Sequence, residues 1–348
     1  MKLRGGLMDM KEKTRVLVIG DIIVDKYVFG ETTKMSFEAP IPIMDYSRSE
    51  LVLGGASNVA LNLKKLDKSC DVDLLGVLGN DSDGAWVKRT LEDEDIGTFF
   101  IQTEGDISTS KTRFISKGKQ VLRLDRTPSV LEYNVIDKIS LACSNIKWDM
   151  IIISDYDFGV LYKDSIEAIK LQAKCPIIVD PKTKNFWEYD GVLCVKPNHR
   201  EISEAITSKI GKSLVDTYDI DASVESLIGE MSKWNSSDYI LVTDGENGMT
   251  WYDKAERSYE SVDAEPCKVV DVTGAGDTVI STLGYCLAKG YSFKESVKFA
   301  NSAAAKSIEQ LGCGYVNFDR DLYFTDWSTR YNSEGEEWHQ RELENIQA

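Results

Sequence analysis

The residue pattern predicts an α/β protein: a largely parallel sheet with helices on both faces, plus a small β lid. Three observations point there. Short β-rich runs alternate with amphipathic helical stretches, several of those runs end in polar or glycine-rich turns, and two early segments break the alternation. In sheets of this kind ligands bind beyond the carboxyl ends of the strands, so the glycine-rich turns mark where a site belongs.

Taken in order, strands are expected at Val16 to Gly20, Leu74 to Gly79, Met150 to Ser154, Ile177 to Asp180, Val192 to Lys196 and Tyr239 to Thr243. Each is a short, mostly apolar run of the kind that a sheet covered on both faces buries. Helices are expected over Ser57 to Leu66, Ser82 to Asp93, Tyr162 to Ala173, Arg200 to Thr207 and Ala275 to Ala288. In the last of these, Val279, Ile280, Leu283 and Leu287 mark one buried helical face. The segments that break the pattern are Lys26 to Glu50, with Pro40 and Pro42, and Ser108 to Asp125. In the second, TSKTRFISKGKQVLRLD reads as two strands joined by a turn at Lys117 to Lys119. Together they are expected to form a separate small sheet that covers a cleft or pairs with another subunit. Residues 1–13 read as an extension, 14–320 as one domain carrying lid segments at about 26–50 and 108–125, and 321–348 as an acidic tail.

Of 348 residues, 42% are hydrophobic and 28% charged, a balance that excludes disordered and fibrous classes. Setting 57 acidic against 41 basic side chains leaves a formal charge of −16, which repels polyanions and makes nucleic acid an unsuitable partner. The seven cysteines are odd in number and contain no CxxC pair, so they read as reduced thiols in the cytoplasm rather than a disulfide framework or zinc ribbon. No apolar stretch approaches the ~20 residues of a membrane span. With only His199 and His339 present, histidine-rich metal sites and Ser/His/Asp hydrolysis lack their imidazoles.

The strongest motif is Asp271-Val272-Thr273-Gly274-Ala275-Gly276-Asp277, a glycine-rich turn opening a helix. Small residues let the backbone approach a ligand closely, and the free N–H groups with the helix dipole attract phosphate or developing negative charge. Asp277, in the first turn, either caps the helix or accepts a proton from an attacking hydroxyl. Gly54-Gly55-Ala56-Ser57-Asn58 repeats the design earlier in the chain, as a tight strand-to-helix turn or as a sugar site in which the Asn58 amide offers donor and acceptor. Upstream, Asp21 and Asp25 follow the first strand, either to hold a polyol or to close a turn. In Lys196-Pro197-Asn198-His199-Arg200-Glu201, Asn198 and Glu201 have the spacing of a capping box and equally of a pair that organises the water shell of Mg²⁺. Gly211-Lys212-Ser213 is not a P-loop, because position 206 is Ile rather than the first glycine.

Together these motifs resemble the PfkB, or ribokinase-like, carbohydrate kinases. The resemblance runs from about Val16 to Asp319, and GGASN and DVTGAGD match the family's two signatures in order and spacing. Within the family, GDIIVDKY, SFEAPIPI, SDYDFGVL, VDPKTKNFWEYDG, KPNHRE, LVTDGENGM and FANSAAA are similar to the branch that acts on D-glycero-β-D-manno-heptose 7-phosphate.

The resemblance implies a ribokinase-like fold, Asp277 as catalytic base, and the backbone of Gly274, Ala275 and Gly276 as the anion hole. It implies that Asn198 and Glu201 serve Mg·ATP, Glu201 through water. It places Thr243, Gly245 and Gly248 near the nucleotide and Asn301 where adenine packs. Asp271 and Thr273 match positions that contact a monovalent cation, K⁺, in some relatives. Asp25, Gly54, Gly55 and Asn58 would hold the sugar, Lys111, Arg113 and Arg123 on the lid are candidates for a substrate phosphate, and Lys182 is a candidate for either phosphate. One departure stands out. Related kinases carry SDYxKG, whereas Ser154-Asp155-Tyr156-Asp157-Phe158-Gly159 places Phe158 at the lysine.

The function expected on this basis is ATP-dependent phosphorylation of the 1-hydroxyl of heptose 7-phosphate by a stand-alone kinase, since no HxGH nucleotidyltransferase motif is present. The alternatives are a kinase for another sugar, sugar phosphate or nucleoside, and a nucleotide-sensing protein without turnover. A homodimer through the lid is expected, because an exposed apolar sheet face seeks cover.

Overall fold

A computed structural model describes residues 13–103, 107–128, 133–210 and 223–309, with Gly312 and Val316. The extension up to residue 12, the Gly211-Lys212-Ser213 run, Cys313 and the tail from 321 lie outside the described residues.

The chain runs β1 (Arg15–Gly20), β2 (Ile22–Met35), β3 (Pro42–Gly55), α1 (Ala56–Leu66), β4 (Asp71–Gly79), α2 (Ser82–Asp93), β5 (Gly97–Thr103), β6 (Ser110–Ser116), β7 (Lys119–Arg126), α3 (Ile136–Asn145) and β8 (Met150–Ser154). It continues through α4 (Lys163–Gln172), β9 (Ile177–Asp180), β10 (Cys194–Val195), α5 (His199–Ile210), α6 (Val224–Met231), β11 (Tyr239–Thr243), β12 (Met249–Asp253), β13 (Ser258–Val262), α7 (Ala275–Lys289) and α8 (Phe293–Ser307).

Nine strands form the main sheet in the order β13-β12-β11-β10-β9-β8-β1-β4-β5. It is parallel from β11 to β5, and only the β12–β13 edge is antiparallel. Alternation along β1 explains why both faces are covered. Val16 and Val18 join Val59, Leu63, Ile280, Leu283 and Val297 of α1, α7 and α8 in one core. Leu17 and Ile19 join Ile139, Ile166, Ile202 and Leu227 of α3 to α6 in the other. From β1 the chain builds outward through β4 and β5, then returns to β8 on the other side of β1. The switch point therefore lies between β1 and β8, and the turns after these strands sit side by side.

The lid is a four-stranded sheet, β3-β2-β6-β7. Its register divides the side chains cleanly. One row across the strands is Val52, Asp25, Lys111 and Asp125; the next row on that same face is Glu50, Tyr27, Arg113 and Arg123. The opposite face carries Leu51, Lys26, Thr112 and Leu124, then Ser49, Val28, Phe114 and Leu122. Its base is clipped to the start of α2 by Lys26 to Asp83 at 2.6 Å and Arg126 to Asp81 at 3.2 Å.

The expected strands at Met150, Ile177 and Tyr239 coincide with β8, β9 and β11, and the Ser82 helix with α2. The lid strands are longer than expected: β2 begins at Ile22 and β3 ends at Gly55, because the ladder continues directly out of the β1 turn and into α1. The β12–β13 hairpin and α3, α6 and α8 are not among the expected elements.

Candidate active site

The site forms where α1 and α7 begin beside the β1/β8 switch point. Gly274 caps α7 with φ 80°, a left-handed conformation that a side chain would strain. Ala275 N–H donates to the Val272 carbonyl at 3.3 Å and the helical ladder begins with Thr278 N–H on Gly274, so the N–H groups of Gly276 and Asp277 lack an intrahelical acceptor, an arrangement suited to an anion. Within that first turn, Asp277 is buried. Asn58 Nδ2 donates to Asp277 Oδ2 at 2.8 Å, and the Tyr156 hydroxyl donates to Oδ1 at 2.9 Å. Burial pushes the Asp277 carboxyl up to about 7. The Asn58 bond opposes that rise, Asp180 adds to it, and the Tyr156 bond and Lys196 oppose it. A carboxyl poised near neutrality suits a general base.

Two charged groups missed by sequence reasoning lie under the same turn. The Lys196 ammonium is buried and paired with Asp180 at 3.0 Å. A Cβ built at Gly276 would stand 3.5 Å from Asp180 Oδ2 and 3.7 Å from Lys196 Nζ, so both groups lie against the Gly274–Gly276 turn. Burial raises the Asp180 carboxyl, with Lys196 pulling the other way. The available signal was positional: Tyr156 and Lys196 are among the first residues past β8 and β10, and Asp180 ends β9, all at the carboxyl edge where parallel sheets gather ligands.

Four of the residues expected beside the nucleotide converge. Thr243, Gly245, Gly248 and Asn301 line one cleft of about 490 Å³ together with Ala275 and Gly276. Asn301 Nδ2 donates to the Asp263 carbonyl at 2.8 Å, fixing the segment that forms one wall. Asn198 and Glu201 make the reciprocal capping box: Glu201 N–H donates to Asn198 Oδ1 at 2.8 Å and Asn198 N–H to Glu201 Oε2 at 2.9 Å. The other Glu201 oxygen accepts from Lys182. Burial acts to lower the Lys182 ammonium, but Glu201 and Asp180 outweigh it and hold it above the ordinary value. Among the described residues no three acidic, histidine or cysteine side chains cluster to ligate a metal directly. The all-oxygen set of Asn198 and Glu201 fits a hydrated hard cation held through its water.

Of the residues expected to hold the sugar, Asp25 is buried and ion-paired with Arg113. A Cβ on Gly54 would come within 2.3 Å of Asp25 Oδ2, so a side chain there would have to displace that carboxylate. Lys111 Nζ lies 5.1 Å from the Tyr156 ring and 5.7 Å from the Phe158 ring, and burial lowers its ammonium, opposed by Asp25. Arg123 shares the row of Arg113 but lies toward the lid edge, donating to Asp125 at 2.9 Å. Asp21 proves to close a turn. It accepts from the backbone N–H groups of Tyr156, Phe158 and Val160, and burial with the nearby Asp155 charge pushes it up to about 7. Asp271 likewise braces its loop, accepting from the Thr273 N–H and hydroxyl and from Gly312 N–H.

The description pfkB family carbohydrate kinase matches residues 13–319. The chain is 33% identical over 312 residues to "Bifunctional protein HldE" of Nitratiruptor sp., covering 88% of this chain and 64% of that protein. It is 36% identical over 304 residues to the protein of the same name from Campylobacter fetus, covering 85% and 63%. The chain therefore spans a little under two thirds of these relatives' length. Among solved structures, phosphofructokinase-2 from Escherichia coli in complex with potassium aligns with TM-score 0.73 at 17% identity, over 90% of this chain and 99% of that one. Ribokinase from Thermotoga maritima aligns with TM-score 0.67 at 18% identity, over 86% and 95%. At these identities the structures show a shared ribokinase-like fold. The family match over nearly the whole chain shows more: this protein belongs to the pfkB family of carbohydrate kinases, phosphotransferases that act on a sugar hydroxyl.

Proposed function

We propose that the chain transfers the γ-phosphoryl group of ATP to the 1-hydroxyl of D-glycero-β-D-manno-heptose 7-phosphate, giving the 1,7-bisphosphate. The observation that carries the substrate class is the charged face of the lid: Lys111 and Arg113 are half-enclosed over Asp25 and Tyr156, beside the base. Cations so placed suit an acceptor that already bears a phosphate. In this reading Asp25, Asn58 and the Gly54-Gly55 turn bind the sugar, while Asp277 takes the proton of the attacking hydroxyl. The Gly274 to Gly276 amides, with Lys196, receive the charge of the transferred group. Most of the rate then comes from positioning and electrostatics. Mg²⁺ bound with ATP would neutralise phosphate charge, and Asn198 and Glu201 would hold its water shell. Asp271 and Thr273 are the candidates for K⁺, and Lys182 and Arg123 for further phosphate contacts.

A coupled assay of ADP release over free sugars and sugar phosphates of five to seven carbons tests this reading. Heptose 7-phosphate should give the highest kcat/KM, and Arg113→Ala should erase its advantage over free sugars. An unphosphorylated acceptor is the second reading, favoured by Phe158 at the expected lysine and by the neutralisation of Arg113 by Asp25. It predicts that Arg113→Ala leaves the preference unchanged.

Dimerisation through the lid is supported by its outer face, where Leu51, Leu122 and Leu124 are 39%, 58% and 58% exposed in adjoining rows. The described residues hold no helix long and apolar enough to cross a membrane, and their cysteines are free thiols.

A further inference from the structure

We propose that Tyr156 is a positioning residue for phosphoryl transfer: it orients the Asp277 carboxylate and ties that orientation to the lid on one side and the nucleotide cleft on the other. This rests on the reading of Asp277 as the base and adds a residue to it.

Tyr156 lies two positions past the end of β8, at the switch point, and its backbone N–H is pinned to Asp21 Oδ2 at 2.8 Å. From there its hydroxyl reaches Asp277 Oδ1 at 2.9 Å, while Asn58 occupies Oδ2 at 2.8 Å. With one donor on each oxygen, the carboxylate plane is fixed and the remaining lone pairs have defined directions. That is the condition for accepting a proton from one particular hydroxyl. Charge-assisted bonds of this kind are about twice as strong as neutral ones. The ring is flanked by two ammonium groups from different parts of the site: Lys111 Nζ of β6 at 5.1 Å and Lys182 Nζ, past β9, at 5.2 Å. Cations at this distance are attracted to an aromatic face. Lys111 reaches the ring because β6 is part of the lid, and Lys182 is held there by Glu201 of the capping box. The side chain that aims the base therefore touches both halves of the substrate cleft.

A tyrosine that only filled space would also need a partner for its hydroxyl, so the test must separate aiming from packing. The charged and polar groups facing Asp277 are Asn58 from α1, Tyr156 from the β8 turn, and Asp180 and Lys196 from the ends of β9 and β10. Lys111 and the Lys182–Glu201 pair stand behind Tyr156. Burial pushes the carboxyl up and the Tyr156 bond opposes it, so losing the hydroxyl moves it further up.

The experiment compares Tyr156→Phe, which keeps the ring, with the wild type and Asp277→Asn, using the full chain, Mg·ATP and the best acceptor of the sugar phosphate panel. The expected result is a kcat at neutral pH lowered roughly 10- to 100-fold, with KM for ATP changed by less than about 2-fold. The acidic limb of kcat should move up by about one pH unit. Lys111→Met should move the limb in the same direction by less. If Asp277→Asn keeps its turnover, the base assignment itself fails. If Asp277→Asn is inactive but Tyr156→Phe leaves kcat and the limb unchanged, the positioning role fails and the base stands. A uniform loss of kcat with an unshifted limb and a lowered melting temperature shows packing alone and also overturns the proposal. Should Tyr156→Phe not fold, an unshifted limb in Lys111→Met is the overturning result.

Discussion

Asn58 Nδ2 and Asp277 Oδ2 meet at 2.8 Å although 219 positions separate them in the chain. The bond joins the first turns of α1 and α7, which pack side by side on one face of the sheet, and it brings the two glycine-rich motifs together. In the proposed reading, a sugar held by the first motif would face Asp277 and the Gly274–Gly276 turn of the second. Asp277→Asn should lower kcat by roughly 10²- to 10⁴-fold, because general-base catalysis is removed while the cleft is not. Equilibrium binding of a nucleotide analogue should change little. Full turnover in this variant would remove Asp277 from the reaction.

The same residue predicts an exchange of stability for activity. Its carboxyl is raised from 3.8 to about 7 in the folded protein, so between those values the native state binds more protons than the unfolded chain. Stability is therefore lost as pH rises through this range and the full cost, on the order of a few kcal/mol, is present above it. Asp277→Asn should melt at a higher temperature than the wild type at pH 8, with the gap closing toward pH 4. Calorimetry across this range, showing a gap independent of pH, would contradict the assignment of the shift.

Gly54 is predicted to be irreplaceable for acceptor binding. The Cβ of Gly54→Ala would overlap Asp25 Oδ2, 2.3 Å away, and must displace that carboxylate. A misplacement near 1 Å can cost up to about 100-fold in rate. The acceptor kcat/KM should fall roughly 10- to 100-fold while the ATP KM holds, measured by varying each substrate at saturation of the other.

The Lys196–Asp180 pair separates structure from chemistry. Lys196→Met leaves the Asp180 carboxylate unpaired in a buried site, at a cost of about 3–5 kcal/mol, and should lower both melting temperature and kcat. Adding Asp180→Leu should restore most of the melting temperature, since an apolar pair packs without desolvation cost. It should not restore turnover. Recovery of both would mean that the ammonium contributes nothing to phosphoryl transfer.

Leu122 and Leu124 are predicted to be interface residues. Leu122→Asp with Leu124→Asp places two charges on the outer face of the lid. Light scattering should then report the monomer mass over a concentration range in which the wild type reports a dimer. A wild type that is monomeric throughout would sink the lid interface.

By themselves, the residues of this chain determined the alternating α/β architecture, because strands buried on both faces read as apolar runs such as MIIIS at Met150–Ser154. They also disclosed the two glycine-rich turns, since close backbone approach to a ligand demands small residues locally. The half-buried β12–β13 hairpin carries little apolar alternation, whereas α8 was missed although Ser292 and Glu295 form a capping box and Phe293, Val297, Ala300 and Ala303 follow helical spacing. Sequence spacing left open whether Asp21 binds ligand or closes a turn, and whether Asn198 and Glu201 cap a helix or serve a metal. Tertiary structure decided the first by pointing three N–H groups at Asp21, and gave the second its capping geometry. It alone revealed Tyr156, Asp180 and Lys196 as neighbours of Asp277. Their relation is one of adjacency between parallel strands, and strands that pair in space lie a whole crossover apart in the chain.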